Sequence, residues 1–327
     1  MTHAIRFHTP GDSSVLRWET VELPPPGQGE VRLRHETVGL NFIDIYQRSG
    51  RYPLPLPSGL GLEGAGVVTA LGDGVAALAV GDRVAYAGAP QTPVGAYATE
   101  RNIPADRLVK LPDGIGFDTA AAMMLQGMTA QYLLRQTYRV QPGDTILIHA
   151  AAGGVGLIVC PGAKALGATV IGTAGTAAQA ALARAHGCDH AIVYTDEDFV
   201  PRVKEITRGE GVAVVYDSVG VDTFMGSLDC LRPLGMMVTF GQSSGPVPPI
   251  DTQELAKRGS LFLTRPTLFT YTAKRERLLA MAGELFDVVG SGAVRIEIGT
   301  RYPLAEVARA HDDLVARRTT GSVVLLP

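Results

Sequence analysis

The sequence predicts an α/β protein in which a doubly wound, six-stranded parallel sheet is inserted into a β-rich domain. Three observations predict this class. A strand, a glycine-rich turn, a helix and a second strand follow one another within residues 144–172. Strands and helices then alternate to residue 266, whereas β-prone runs separated by Gly, Pro and Asp turns fill the chain before residue 125. We expect one domain to comprise residues 1–124 and 267–327 and the other residues 125–266.

The first part of the chain is expected to form strands and to contain no helix before Phe117. Apolar and charged residues alternate in Val31-Arg32-Leu33-Arg34, as in a half-buried strand. A helix rich in Ala, Met and Leu, from Phe117 to Leu134, is expected to link the two domains. The strands expected before it are 4–7, 31–38, 66–71 and 83–86.

The second part alternates strands and helices in the way that a parallel sheet with crossover helices requires. After the glycine-rich turn and its helix, the last part of the chain is expected to add a helix over 274–289 and a final strand over 322–326. The expected strands are 145–149, 169–172, 190–193, 212–216, 236–241 and 261–264, and the expected helices are 176–186, 198–207, 222–231 and 251–258.

The glycine-rich turn has the spacing and context of a dinucleotide-binding motif. Ala151, Gly153 and Gly156 fall on the pattern G-x-G-x-x-G, directly after a strand and before an Ala-rich helix. Gly153 has no Cβ, so a pyrophosphate can lie against the backbone at the positive end of the helix. Gly156 lets the helix and the strand pack closely. The competing interpretation is an ordinary tight turn.

The end of the second strand favours NADP(H) over NAD(H). A NAD site usually has Asp or Glu there, which binds the 2′-hydroxyl of the ribose. Residues 172–177 read Gly-Thr-Ala-Gly-Thr-Ala and include no carboxylate. A 2′-phosphate would meet hydroxyls and amides and no repelling charge, although a loop of small residues with no phosphate ligand is the simpler alternative.

Composition excludes several other classes of function. The chain has 327 residues, 46% of them hydrophobic and 19% charged, as in a globular protein of two domains. A net charge of −3 gives no sign of a nucleic-acid surface, and no apolar run is long enough to span a membrane. Cys160, Cys188 and Cys230 are widely spaced, which is typical of a metal-free protein in a reducing compartment. We therefore expect a cytoplasmic protein with no signal peptide.

Several short motifs, taken in order, resemble the medium-chain dehydrogenase/reductases, and among them the quinone oxidoreductases of the zeta-crystallin type. The resemblance covers the whole chain and implies a GroES-like catalytic domain, a Rossmann domain, NADPH as cofactor, a quinone as substrate and a homodimer. The motifs are Gly39-Leu40-Asn41-Phe42-Ile43-Asp44, Ser58-Gly59-Leu60-Gly61, Glu63-Gly64-Ala65-Gly66, Val80-Gly81-Asp82-Arg83-Val84, Ala150-Ala151-Ala152-Gly153-Gly154-Val155-Gly156, Val215-Tyr216-Asp217-Ser218-Val219-Gly220 and Thr264-Arg265-Pro266.

The residues that hold zinc in the alcohol dehydrogenases of this superfamily are replaced here. Asn41 and Leu62 stand where those enzymes have Cys and His, and no Cys precedes Cys160, so the four-cysteine structural zinc site is also missing. Oxidation of an alcohol needs zinc to lower the pKa of its hydroxyl. Reduction of a quinone, or of an alkene conjugated to a carbonyl, avoids that step and fits a metal-free protein.

The resemblance also implies a set of site residues. Asn41, Tyr46 and Tyr52 are the candidate catalytic residues: Asn41 is expected near the nicotinamide ribose, and a Tyr hydroxyl could orient the substrate oxygen or donate a proton to it. For Tyr52 the alternative is simple packing with an exposed hydroxyl, and water could also deliver the proton. The cofactor-binding candidates are Asn41, Phe42, Ile43, Asp44, Tyr46, Thr129, Gly153, Gly154, Val155, Thr173, Gly175, Thr176, Tyr194, Ser218, Phe240, Gly241, Gln242, Ser243, Leu263, Thr264, Arg265 and Arg317.

This chain departs from the family pattern at four positions in or near the expected site. Gln126 and Gln179 replace Lys, which removes a charge from the active site and one from the 2′-phosphate site. Gln242 replaces Asn. Pro161 replaces Gln in the interior of the helix after the glycine-rich turn, where it is expected to bend or weaken that helix. Arg317, with Arg318, could carry more of the phosphate binding, or the two could form a solvated surface pair.

The leading hypothesis from the sequence is thus a metal-free NADPH:quinone reductase. Reduction of enones or alkenals uses the same machinery and is the closest alternative. A different class, a cofactor-binding protein with little catalysis and a structural or RNA-binding role, has little support because the chain lacks a basic stripe with interleaved aromatics. The homodimer is expected to form through the last strand of the Rossmann sheet, at Leu261–Thr264, because that apolar edge would otherwise be exposed.

Overall fold

The computed structural model describes residues 2–89 and 93–327 of the chain. Within them lie sixteen β-strands and ten α-helices. The strands are β1 (Thr2–Phe7), β2 (Arg17–Val21), β3 (Glu30–Leu40), β4 (Ser58–Gly59), β5 (Glu63–Leu71), β6 (Arg83–Ala87), β7 (Glu100–Pro104), β8 (Val109–Lys110), β9 (Thr145–Ile148), β10 (Thr169–Ala174), β11 (His190–Val193), β12 (Val212–Asp217), β13 (Leu231–Thr239), β14 (Phe262–Thr264), β15 (Ile298–Pro303) and β16 (Ser322–Leu326).

The helices are fewer and vary in length between four and sixteen residues. They are α1 (Phe42–Arg48), α2 (Phe117–Tyr132), α3 (Gly156–Ala165), α4 (Ala177–Ala185), α5 (Phe199–Ile206), α6 (Phe224–Asp229), α7 (Gln253–Lys257), α8 (Leu268–Tyr271), α9 (Arg275–Gly290) and α10 (Val307–Val315).

The chain divides into two compact units. The first comprises Met1–Met128, Thr272–Gly290 and Ile296–Pro327, and the second comprises Thr129–Tyr271 and Ser291–Arg295. Each unit has its own sheets and its own apolar core.

The second unit contains the six-stranded parallel sheet that the sequence predicts. The strand order is β11-β10-β9-β12-β13-β14, and every neighbouring pair is parallel. The strands β10 and β11 lie on one side of β9, and β12, β13 and β14 lie on the other side. The gap between β9 and β12 is therefore the switch point at which ligands of such sheets bind. The core consists of β-branched and apolar side chains from the strands and helices, including Leu147, Ile171, Val215, Leu228 and Met237.

The first unit is built around antiparallel strands. Seven strands form one sheet, in the order β15-β16-β3-β5-β6-β8 with β7 paired to β3, and β2-β1-β4 form a second, smaller sheet. The strand β16, near the end of the chain, pairs with β3 near its beginning. Apolar side chains of both regions share one core, which includes Phe7, Leu33, Val84, Tyr97 and Leu325.

Two predictions about local structure were wrong. A helix does precede Phe117: α1 has only seven residues, and Asp44–Arg48 are all buried, so it shows no one-sided apolar period. The strand expected over 236–241 begins earlier, because β13 runs from Leu231 and continues through Pro233 and through Leu234 at φ 61°. Pro233 and Gly235 indicate a turn in the sequence, yet both lie within a strand here.

Some elements are not evident in the sequence. The strands β2, β7 and β15 are short and rich in polar residues, and they form by pairing with other strands. The helix α10 was also not predicted, although Val307, Ala310 and Leu314 give it an apolar helical period that was a usable signal. Pro161 lies inside α3, which nevertheless continues to Ala165. The amide hydrogen that Pro lacks removes one helical hydrogen bond without ending the helix.

His35 shows how the first unit satisfies polar groups in its core. A carbonyl oxygen can only accept, so the Nδ1–H of His35 donates to the carbonyl of Ala98 at 2.7 Å. In the neutral ring Nε2 then has no proton, and it accepts from the Tyr86 hydroxyl at 2.8 Å. Burial is the main cause that lowers the pKa of His35 to about 3, and the charge of Arg101 adds to it. The imidazole is therefore neutral and joins β3 to the segment before β7.

Gly156 should be intolerant of any side chain. A Cβ added there would lie 2.6 Å from the carbonyl oxygens of both Ala150 and Ala151, which are backbone atoms of the turn. We expect Gly156→Ala to lower the free energy of unfolding by about 1–3 kcal/mol, as overpacking does. Gly283→Ala is the matched control, because a Cβ in the middle of α9 meets nothing within 4 Å. Urea unfolding of both variants measures this, and a Gly156→Ala protein as stable as wild type would contradict it.

The pH dependence of stability should contain a contribution from His35. Its pKa is about 3 in the folded chain and 6.5 in its ordinary state. Between these values the unfolded chain binds a proton that the folded chain does not, so stability present above pH 6.5 is lost as the pH falls. His35→Gln should reduce this slope by about 1 kcal/mol per pH unit between about pH 4 and 6. Urea unfolding measures the slope. An unchanged slope in His35→Gln would refute the prediction.

Candidate functional site

The glycine-rich turn lies in the second unit, between the end of β9 and the start of α3. Ala150 has a φ of 55°, and Gly153 N donates to the carbonyl of Ala150 at 2.9 Å, which closes the turn. Leu157 N donates to the carbonyl of Gly153, which leads the backbone into the helix. Gly153, Gly154 and Val155 are all partly exposed. Backbone amides at the start of a helix form a favourable site for an anion.

Gly153 and Gly156 have different physical roles in this turn. An added Cβ at Gly156 would meet backbone, as described above, whereas one at Gly153 would lie 3.2 Å from the carbonyl oxygen of Ala150 and otherwise 4.0 Å from the Ala150 side chain. Apart from the close contact with this one residue, the space beside Gly153 is open. Gly156 is needed for packing, and Gly153 leaves room for a ligand.

A buried polar network lies beneath the turn and joins three strands of the sheet. Ser227 Oγ donates to Asp217 Oδ2 at 3.0 Å, so it accepts from His149 Nε2 at 2.9 Å, and Thr173 Oγ1 donates to His149 Nδ1 at 2.9 Å. Asp217 Oδ1 also accepts from the backbone amides of Val219 and Gly220. Burial lowers the pKa of His149. The network fixes the loops that follow β9, β10 and β12.

This network changes the view of Thr173. Its side chain is 1% exposed and its hydroxyl donates to His149, so in this structure Thr173 supports the turn from below. His149 is a buried packing residue with both ring nitrogens hydrogen-bonded.

Gly175, Thr176 and Tyr194, which are proposed for the 2′-phosphate, follow the ends of β10 and β11. Gln179 Oε1 accepts from Gly175 N at 3.0 Å, and Thr176 Oγ1 caps α4 by accepting from Gln179 N at 3.2 Å. Tyr194 is 39% exposed, and its hydroxyl lies 2.8 Å from where a Cβ of Gly175 would be. Arg317, in the first unit, is exposed and has a φ of 58°.

The other candidates of the second unit follow the carboxyl ends of β12, β13 and β14. Ser243 N donates to the carbonyl of Ser218 at 3.2 Å, which ties two of these loops together. The Arg265 guanidinium donates to Thr239 Oγ1 at 3.1 Å and to the carbonyl of Gly241 at 3.3 Å. Between these residues lie the partly exposed Phe240, Leu263 and Thr264 and the buried Gln242.

Thr129 is buried on α2 beside an aromatic pair that was not found from the sequence. The rings of Tyr132 and Tyr271 stack with centroids 4.4 Å apart and an interplanar angle of 5°. The Tyr271 hydroxyl is 2.7 Å from Thr137 Oγ1. Burial raises the pKa of Tyr132 above its ordinary value, and a hydrogen bond with Thr129 opposes this. The pair depends on segments far apart in the chain, so no local pattern indicates it.

In the first unit, Asn41 lies between two buried carboxyl groups. Its side-chain Nδ2 donates to Glu63 Oε2 at 2.7 Å, and its backbone N donates to Asp44 Oδ2 at 2.9 Å. Both carboxyl groups are 0% exposed. Burial is the main cause that raises the pKa of Asp44 to about 7 and that of Glu63 to about 8. Glu63 was not among the predicted site residues, although a Glu within the apolar run Leu60-Gly61-Leu62-Glu63 was a usable signal.

Asp44 ends a directional chain of hydrogen bonds. Arg48 can only donate, so it donates to His311 Nδ1 at 3.1 Å, and His311 Nε2–H then donates to the Tyr97 hydroxyl at 3.2 Å. Tyr97 donates to Asp44 Oδ2 at 2.8 Å. Burial, with the charge of Arg48, lowers the pKa of His311 to about 3. These hydrogen bonds join α1 to α10 through the side chain of Tyr97, which lies between β6 and β7.

The remaining candidates of the first unit form an aromatic cluster on and beside α1. The rings of Tyr46 and Tyr52 meet edge to face at 5.3 Å, and Phe42 lies 6.2 Å from Tyr46. Arg51 lies over the Tyr46 ring at 5.4 Å. Tyr46 is 6% exposed, while Phe42, Ile43 and Tyr52 are partly exposed. Tyr52 is therefore the more accessible of the two candidate proton donors.

The described residues were also compared with the requirements of metal sites and membrane spans. Residues 2–89 and 93–327 contain no group of three or more His, Cys, Asp and Glu side chains arranged to hold a metal ion. None of their helices is both long and apolar enough to cross a bilayer.

Comparison with known proteins assigns both parts of the chain. Residues 27–113 match the alcohol dehydrogenase GroES-like domain, and residues 154–281 match the zinc-binding dehydrogenase family. A quinone oxidoreductase of Pseudomonas aeruginosa is 53% identical, with all of both chains covered, and a 2-haloacrylate reductase of a Burkholderia species is 47% identical over 100% of this chain and 99% of its own. The structure of Escherichia coli quinone oxidoreductase complexed with NADPH is 48% identical, with a TM-score of 0.96 and full coverage of both chains. This chain belongs to the quinone oxidoreductase family of the medium-chain dehydrogenase/reductases.

Proposed function

We propose that this protein is an NADPH-dependent quinone reductase that passes reducing equivalents from NADPH to a quinone without a metal ion. The observation that carries the proposal is the open glycine-rich turn at Gly153–Val155, at the switch point of the parallel sheet and at the start of α3. The names of the relatives support the same activity, since quinone oxidoreductases match over the full chain.

The second unit fits the role of an NADP(H)-binding domain. The amides of Gly153, Gly154 and Val155 would hold the pyrophosphate, with the partial positive charge of the ten-residue helix α3 behind them. No carboxylate side chain lies in residues 172–177, so a 2′-phosphate would meet no like charge there. Gly175, Thr176 and Tyr194 remain the proposed contacts of that phosphate, and Arg317 remains a candidate that the family resemblance suggests.

The reaction needs no covalent bond between substrate and protein. It needs the two reactants to be oriented and a proton to be supplied. NADPH, when bound, supplies the hydride. We propose that the chain contributes position, which can account for much of the rate. Thr129 and the loops after the strands would hold the rest of the cofactor, with Thr173 supporting them from below. The residues of these loops are Ser218, Phe240, Gly241, Gln242, Ser243, Leu263, Thr264 and Arg265. Asn41, Phe42, Ile43, Asp44 and Tyr46 would lie at the nicotinamide end, and the hydroxyl of Tyr46 or of Tyr52 would orient the substrate oxygen.

Reduction of a conjugated C=C bond is the second candidate function. It is favoured by the 2-haloacrylate reductase, whose name describes reduction of an activated alkene and which is 47% identical to this chain. The same groups would serve, because in both reactions NADPH passes reducing equivalents to an electron-poor conjugated acceptor and protons complete the product.

The expected assembly and location are part of the proposal. The edge strand β14 exposes Phe262 to 56%, and an apolar edge strand of this kind is suited to pair with a second copy. We propose a homodimer through this edge and a cytoplasmic location, the latter because the three cysteines are all free thiols.

The two candidate activities can be separated by one comparison of substrates. NADPH oxidation by the purified protein should be faster with 1,4-naphthoquinone than with an alkenal or a 2-haloacrylate, and it should persist after treatment with a chelator. A preference for the alkene substrates would favour the second candidate. Background rates with every acceptor would reject both, and would favour a binding protein with a structural or RNA-binding role.

Gly153→Val should specifically weaken NADPH binding. The added side chain would occupy the open space beside Gly153, and we expect the Kd for NADPH to rise at least about tenfold. The control is Gly283→Val, which places the same side chain in α9 where a Cβ has no neighbour within 4 Å. Titration of NADPH fluorescence measures both variants. Wild-type affinity in a folded Gly153→Val protein would show that the pyrophosphate is bound elsewhere.

A further inference from the structure

Asn41 is held on both sides by side chains that were not among the candidate catalytic or cofactor-binding residues. Its Nδ2 donates to Glu63 Oε2 at 2.7 Å, and its Oδ1 accepts from Gln126 Nε2 at 3.0 Å. Asn41 is 6% exposed, Gln126 is 8% exposed and Glu63 is fully buried. All three residues belong to the first unit.

Each neighbour of Asn41 is fixed in turn by another part of the fold. Glu63 Oε1 accepts from the backbone amide of Leu125 at 2.7 Å, which holds the carboxyl group against α2. Ser322 Oγ donates to Gln126 Oε1 at 2.6 Å and also lies 2.9 Å from the carbonyl of Ala122. The strand β5 and the helix α2 thus contact the Asn41 amide directly, and β16 supports it through Gln126.

The pattern of donors and acceptors defines which way the Asn41 amide faces. With Ser322 donating to Gln126 Oε1, the Gln126 amide presents Nε2 to Asn41, and Asn41 then presents Nδ2 to Glu63. Turning the Asn41 amide over would place its NH₂ against the Gln126 NH₂. That contact would lose its hydrogen bond inside the protein, where an unpaired polar group is costly.

The Glu63 carboxyl group is packed closely against Gly39. A Cβ added at Gly39 would lie 2.4 Å from Glu63 Oε2 and also 2.4 Å from the carbonyl oxygen of Ala121, so Glu63 fills the space that this glycine leaves between β3 and α2. The Glu63 carboxyl is therefore restrained by shape as well as by its hydrogen bonds.

We propose that Glu63 and Gln126 are positioning residues that hold the Asn41 amide in one place and one orientation for the cofactor. Neither residue touches the cofactor in this proposal, and both act through Asn41. It rests on the proposed function, because it takes Asn41 as the residue that contacts NADPH. It adds to that function a cause for the placement of Asn41, which otherwise would rotate about its own side-chain bonds.

The test is a double-mutant cycle on NADPH affinity. Asn41→Ala is expected to raise the Kd for NADPH about tenfold, and Glu63→Gln and Gln126→Leu are each expected to raise it about threefold to tenfold. A Gln at position 63 cannot accept from both Leu125 N and Asn41 Nδ2 with one oxygen, so it releases the Asn41 amide. In the Asn41→Ala background, both substitutions should change the Kd by less than about twofold, because the side chain that they hold is already absent.

Asp118→Asn is the matched control for the change of carboxyl to amide. Asp118 lies in the same unit and accepts from Thr37 Oγ1 at 2.8 Å and from Arg301 Nε at 2.9 Å, without contact to Asn41. It should leave the Kd for NADPH unchanged in both backgrounds. Thermal unfolding of every variant shows whether the fold is retained, and if Glu63→Gln does not fold, the cycle with Gln126→Leu decides.

The outcomes separate this proposal from the proposed function. Equal effects of Glu63→Gln and Gln126→Leu with and without the Asn41 side chain would overturn the positioning role, and so would an Asn41→Ala variant with wild-type affinity. Wild-type turnover of 1,4-naphthoquinone with NADPH is measured in the same preparations. If that turnover is present, the proposed function stands while the positioning role is rejected; if it is missing, the proposed function itself fails.

Discussion

The structure of the second unit depends on the close approach of α3 to the turn that precedes it. The helix begins at Gly156, where a Cβ would lie 2.6 Å from two backbone carbonyl oxygens. Because no side chain is present, the backbone amides of the turn and of the first helical residues gather at the carboxyl end of β9. The dipole of the helix adds to them. The strand order, the buried network around His149 and the loops after β12 and β13 all preserve this geometry.

The first unit places its polar groups differently. It buries Asp44, Glu63, Arg48 and Arg101 within one domain, and hydrogen bonds instead of direct ion pairs connect most of them. The loss of solvation is large for such groups, and this is why the pKa of each of the two carboxyl groups is raised. Groups of this kind are retained where they fix a functional side chain, and here both carboxyl groups bond to Asn41.

The two units thus fix their ligand-binding groups in different ways. Backbone amides, which cannot rotate, are suited to a pyrophosphate that every dinucleotide shares. Side-chain amides and hydroxyls, which can rotate, need the support of a network before they can orient a ligand. The replacement of Lys by Gln126 is compatible with this view, because Gln126 provides both the donor that Asn41 needs and the acceptor for Ser322.

The sequence by itself determined the parallel sheet, the glycine-rich turn and the family, because these depend on local signals: short β-branched strands, crossover helices and glycines at fixed spacing. It did not show α1, whose seven residues are buried on nearly all sides, nor the start of β13, whose Pro233 and Gly235 are typical of a turn. Only the tertiary structure brought Glu63, Gln126 and Ser322 to Asn41 and stacked Tyr132 on Tyr271. Those contacts join residues separated by up to 196 positions, and no periodicity within one segment records which distant segment it will meet.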